Sequence, residues 1–174
     1  IFLLVTNILF ANIDNYIIQI EENIKDNKFQ DASEIFKKAS SEFNSNAKLY
    51  FLGAQIAIKL DDLDRGNKNY IKAIELDKKN KEYRSAQKKL LDLKNALTSA
   101  KKSFDKGLID DAISEHERLT VKYPEHAIVF YNLGLIYKAN EEYGLAVQNY
   151  KKAKKLNPYA EKYSLAINAI CQMI

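Results

Sequence analysis

"YNLGLIYKANEEYGLAVQNYKKAKKLNP", residues 131–158, decides the fold. Gly134 and Ala146 put small residues where two antiparallel helices would touch, and Pro158 closes the segment. The stretch reads as a helical hairpin. Its neighbours at a fixed distance show whether it stands alone or tiles an array. Ala146 lies 34 residues after Ala112, Pro158 lies 34 after Pro124, and Gly134 stands 34 after Ala100. In the front half Gly66, Tyr70 and Ala73 follow Ala32, Phe36 and Ala39 by the same 34. From Gly66 to Ala112 the offset is 46, so about twelve residues are inserted between the two pairs.

Composition agrees with helices. The chain has 174 residues, 47% of them apolar, with only five glycines and two prolines. So few breakers favour long helices joined by short turns. A net charge of +4 is too mild to imply nucleic acid by itself. One cysteine, Cys171, excludes an intrachain disulfide. On its apolar helix it reads as a small buried residue.

The spacings resemble the tetratricopeptide repeat, with its pattern W-x2-L-G-x2-Y, then A-x3-F, then A and P. The fit is best at 127–160, with Phe130, Leu133-Gly134, Tyr137, Ala146, Tyr150, Ala153 and Pro158 at the expected places. Segment 46–80 follows, with Leu49, Leu52-Gly53, Ile56, Gly66, Tyr70 and Ala73. In that alignment its turn is one residue longer, and Lys78 stands where proline is expected. Segments 13–46 and 93–126 are degenerate versions. The resemblance implies an all-α chain, a right-handed α-solenoid of helical hairpins, because one hairpin cannot bury its apolar stripe alone. The organisation expected is four repeats over 12–160, a helical insert at 80–92, and a capping helix or truncated further repeat at 161–174. Asn157 and Pro158 would open that last helix.

The insert has its own periodicity. Tyr83, Ala86, Leu90, Leu93, Leu97, Ala100 and Phe104 alternate spacings of three and four. One unbroken stripe predicts one helix of about 25 residues, about 37 Å long. Residues 1–11, "IFLLVTNILFA", are uncharged and almost wholly apolar. Eleven residues cannot span a bilayer, which needs about 20. They match the apolar region of a secretory signal or an anchor remnant. That expectation brings membrane association and a bacterial cell-envelope location, against a buried first helix and a cytoplasmic one.

Catalytic signals are absent from this reading. His116 occupies a packing place and is expected in the core. The glycines are scattered singly, so no phosphate loop forms. No enzyme activity, cofactor or metal is expected. The family resemblance instead implies a concave binding face lined by places two, five, nine and twelve of each first helix. On the alignment above these are Ala47, Tyr50, Ala54 and Ala57; Lys94, Leu97, Lys101 and Asp105; and Ile128, Tyr131, Leu135 and Lys138. Such a lining suits a partner's extended peptide or amphipathic helix. The Lys and Asn pairs that clamp a terminal carboxylate in some members are not reproduced, since Ile17 and Glu21 stand at those places in the first repeat. A second face is basic: residues 78–106 hold ten basic and three acidic side chains, with Lys81, Arg84, Lys88 and Lys89 as candidate docking residues. RNA ranks low as its ligand, because stacking aromatics and arginine carry such binding and the chain has three arginines and no tryptophan.

Overall fold

The computed structural model describes residues 2–172, with side chains described from Ile13 onward. Among the described residues it is all-helical: α1 (Phe2–Lys25), α2 (Phe29–Glu42), α3 (Ala47–Lys59), α4 (Leu63–Leu76), α5 (Lys81–Asp105), α6 (Ile109–Lys122), α7 (Ala127–Ala139), α8 (Tyr143–Leu156) and α9 (Glu161–Cys171). The 34-residue period is visible in the helix bounds, since α2 and α4 start at 29 and 63, and α6 and α8 at 109 and 143. A longer period contains it. The helices α2, α3 and α4 recur as α6, α7 and α8 with both ends displaced by 80 (29 to 109, 47 to 127, 63 to 143).

The turns explain why the period holds. Asn27, Asp61, Gly107 and Glu141 each end the first helix of a hairpin with a positive φ, between 59° and 75°. In each case the next amide reaches back to close the helix. Lys28 donates to the Asn23 carbonyl, Asp62 to Ala57, Leu108 to Ser103 and Glu142 to Tyr137, at 2.8–3.0 Å. This is the left-handed cap that satisfies orphan carbonyls, and glycine, asparagine and aspartate enter it at least cost. The entries to α3, α4 and α5 are fixed by side chains. Asn46 accepts from the Leu49 amide, Asp62 from Arg65, and Asn80 from Glu82 and Tyr83.

Two compact units follow, one reaching to Leu90 and the other beginning at Leu91. In the first, Ile13, Ile17 and Ile20 of α1 pack with Ala32 and Ala39 of α2 and with Leu49, Leu52 and Ile56 of α3. A second cluster joins Phe51 and Ala54 to Tyr70 and Ala73 of α4, and to Tyr83 and Leu90 of α5. In the second unit Leu133, Tyr137, Ala146 and Tyr150 pack with Ile170 of α9, while Ala127 and Ala153 pack with Tyr163. Alanines at the hairpin contacts are fully buried, because only a methyl group fits between crossing helices at that distance.

As the unbroken stripe predicts, α5 is a single helix of 25 residues. Its residues to Leu90 close the first unit, and those from Leu91 belong to the second. The helix α9 covers α8 in the role that the start of α5 has in the first unit, with Tyr163 and Ile170 in place of Tyr83 and Leu90. It starts at Glu161, so Asn157 and Pro158 lie in the preceding turn and Asn157 is buried there. The backbone of α1 is helical from Phe2, but the signal or anchor expected at 1–11 lies outside the residues whose side chains are described.

His116 is 2% exposed, and its Nδ1 donates to the Ala112 carbonyl oxygen at 2.9 Å. Burial lowers its pKa, against smaller opposing effects from that hydrogen bond and from Glu115. In the unfolded chain the imidazole titrates near its ordinary value of about 6.5. Below that pH the unfolded state binds a proton that the folded state resists, so stability falls as pH drops through about 6.5. His116→Phe, the residue type found 80 positions earlier at Phe36, is expected to flatten this part of the melting-temperature profile between neutral pH and pH 5. Parallel profiles for parent and variant would show that His116 is not held neutral.

Candidate functional site

Places in a hairpin are counted from Ala47 in α3 and from Ala127 in α7, the first residues of two helices of identical length. Place five is then Phe51 and Tyr131. The sequence alignment paired Leu52-Gly53 with Leu133-Gly134 and so set α3 one residue out of step. The helix bounds pair Gly53 with Leu133, and Ala54 with Gly134. Gly53 is small for a separate reason: a Cβ there would stand 2.3 Å from the Phe36 ring of α2.

Several expected groove residues therefore move inside. Tyr50 falls at place four and meets Phe36 edge-on, with centroids 6.0 Å apart at 82°. Ala54 and Ala57 are fully buried and offer no surface. Leu97 is also buried, as a member of the α5 stripe. In the second unit Tyr131 and Lys138 are half-buried, and Leu135 is 38% exposed. Lys101 is exposed and pairs with Asp105 at 2.7 Å. On α5, Lys81, Lys88 and Lys89 are exposed, whereas the Arg84 guanidinium donates to the carbonyl oxygens of Lys78 and Lys79 and is tied to the preceding turn. Cys171 is exposed, not buried as expected, because the buried stripe of α9 runs through Tyr163 and Ile170.

Both units build the same aromatic triad at place five. Phe51 stacks on Tyr83 (4.6 Å, 26°) and leans on Tyr70 (5.6 Å). Tyr131 meets Tyr150 at 5.6 Å and Tyr163 at 5.2 Å, each residue 80 positions after its counterpart. Burial, with Glu82 nearby, raises the Tyr70 phenol to about 12, and burial with Tyr131 nearby does the same for Tyr150. Tyr83 is also raised, chiefly by burial and by Asp77 and Glu82. The triads thus present neutral rings at physiological pH.

In the first unit the triad floors an open cleft of about 370 Å³. Ile24 of α1, Phe51 and Leu52 of α3, and Tyr83 of α5 give the apolar surface, with Gln55 among them. The rim is charged: Glu21, Lys25, Lys48 and Glu82, with Glu21 and Lys48 bridged at 2.8 Å. Lys48, Phe51 and Gln55 occupy places two, five and nine, so the expected groove face exists here one residue away from the side chains first assigned to it. Asn46, a capping residue just before Ala47, was the sequence signal that could have set this register. No group of His, Cys, Asp and Glu side chains suited to a metal occurs among the described residues. Among them, too, no helix is long and apolar enough to cross a membrane.

Two stretches match the family model described as "Tetratricopeptide repeat": residues 47–80 and 127–159. Both begin at the first residue of a hairpin, 80 positions apart, which is the register of the structure. No curated protein matches. Among solved structures, the TPR domain of P58(IPK) superposes with a TM-score of 0.57 at 16% identity, covering 92% of this chain and 55% of that one. This chain thus spans little more than half of that relative. PilF of Pseudomonas aeruginosa gives 0.42 at 18% identity, covering 92% and 68%. YrrB, described as a TPR protein with an unusual peptide-binding site, gives 0.40 at 21%, covering 88% and 89%. Two matched repeats in the register of the helices, within an all-helical fold shared with a known TPR domain, make this chain a member of the tetratricopeptide-repeat family.

Proposed function

We propose that the chain is a protein–protein adaptor whose first unit holds a partner's peptide or amphipathic helix in the cleft over Phe51. The observation that supports this is the open apolar floor of Ile24, Phe51, Leu52 and Tyr83 inside a charged rim. Apolar anchors seat on such floors and rim charges select among them. The extension to a bacterial cell envelope rests on the sequence of residues 1–11, and cell fractionation tests it.

The cleft is tested with Gln55→Arg, which fills it from a half-buried position without cutting the core. Partners are captured from native lysate, identified by mass spectrometry and titrated. We expect the variant to weaken the captured partner by about tenfold or more, which is about 1.4 kcal/mol per decade, with an unchanged melting temperature. The control is Lys81→Glu/Lys88→Glu on the basic face of α5. Loss of binding in the control with full binding by Gln55→Arg would overturn the cleft and favour a basic surface for RNA or another polyanion.

A further inference from the structure

We propose that the outer face of α8, in the second unit, docks onto an anionic lipid surface. Lys151, Lys152, Lys154 and Lys155 are all exposed. No acidic residue occurs between Tyr143 and Ala160. Among the described residues Lys151, Lys154 and Lys155 have no carboxylate partner, and Lys152 lies 5.7 Å from the Phe130 ring centroid.

A helix C-terminus favours cations through its dipole, and that alone could explain some of them. The duplicated scaffold separates this effect from function. The equivalent helix α4 ends with the same geometry, and Ile71, Lys72, Ile74 and Glu75 stand at the four corresponding positions. One lysine and one glutamate serve that terminus, so four unpaired lysines exceed what the hairpin requires.

The flanks point to a bilayer. Leu145 and Tyr159, at either end of the lysines, are 37% and 45% exposed. Tyrosine is favoured at the headgroup level, and long lysine stems cover apolar surface while their ammonium groups reach outward. Clustered lysines near a bilayer add attraction to anionic headgroups roughly in proportion to their number. The four cations are lysines without an arginine among them, which disfavours the planar stacking and forked contacts typical of RNA.

The test sediments the full chain with vesicles of phosphatidylcholine alone and with vesicles containing one third phosphatidylglycerol. We expect binding to the anionic vesicles only, lost on raising salt to about 0.5 M, where screening is nearly complete. Lys151→Glu/Lys155→Glu should weaken it by about tenfold or more with unchanged circular dichroism, and Lys81→Glu/Lys88→Glu on α5 should not. Equal binding to neutral vesicles, failure to bind anionic ones, or full binding by the α8 variant would each overturn the proposal. So would an α8 variant that loses single-stranded RNA but keeps the vesicles, which would assign the patch to nucleic acid.

Discussion

Tyr150→Ala is expected to lower the unfolding free energy by about 3–5 kcal/mol, the range for removing a buried aromatic ring. Tyr150 is fully buried between α7 and α9. Its ring lies under Gly134 and meets Tyr131, so no neighbour is free to collapse into the space it would leave. Tyr150→Phe separates packing from polarity. The phenol oxygen is buried without a hydrogen-bond partner. Removing it relieves a desolvated group, so this variant should be neutral or up to about 1 kcal/mol more stable. Urea denaturation with an unchanged m value measures both. A Phe variant that loses more than about 1 kcal/mol would mean that the hydroxyl is engaged and the packing account is wrong.

Gly134→Ala is the second large effect, with an expected net loss although alanine is the better helix former by about 1 kcal/mol. A Cβ at Gly134 would stand 2.6 Å from the Tyr150 ring and 3.1 Å from the Ala146 carbonyl oxygen. Neither can yield, one being a fully buried ring and the other backbone. Overpacking of this kind costs about 1–3 kcal/mol. Gly53→Ala meets only the outer edge of Phe36, a half-buried ring that can turn aside. It should be nearly neutral, the clash and the propensity gain offsetting each other. If Gly53→Ala proves the more damaging of the two, the assignment of Gly134 to the hairpin contact fails.

The contrast between these glycines also shows what the sequence could and could not disclose. The 34-residue offsets and the α5 stripe are properties of spacing, so helix number, helix length and repeat class were readable directly. The register of α3 was not. Leu52-Gly53 and Gly53-Ala54 both satisfy a pattern that asks for a small residue, and the ring that makes Gly53 necessary comes from α2, seventeen positions upstream at Phe36. A one-residue step turns a helix by about 100°. It carried Tyr50 from the interior to the supposed groove and hid Phe51, Gln55 and Lys48. In the second unit the L-G pair is unique, and Tyr131 and Leu135 took their places without ambiguity. The cleft itself is made by Ile24, Phe51 and Tyr83, residues from three helices that no local pattern groups together.

The 80-residue recurrence puts its seam in an uncommon location. Block boundaries in repeat chains can fall in turns, where a gained or lost residue is absorbed by the loop. Here the boundary lies between Leu90 and Leu93, within α5. Every residue added or deleted at that seam would swing the whole downstream stripe by about 100°, setting Leu97, Ala100 and Phe104 against the wrong neighbours. Inheritance of length is therefore constrained unevenly. The turns at 43–46 and 123–126 can drift, while the seam tolerates only changes close to whole heptads. A lineage that lengthened such a chain would do so by copying entire blocks, with the helical phase preserved across each join.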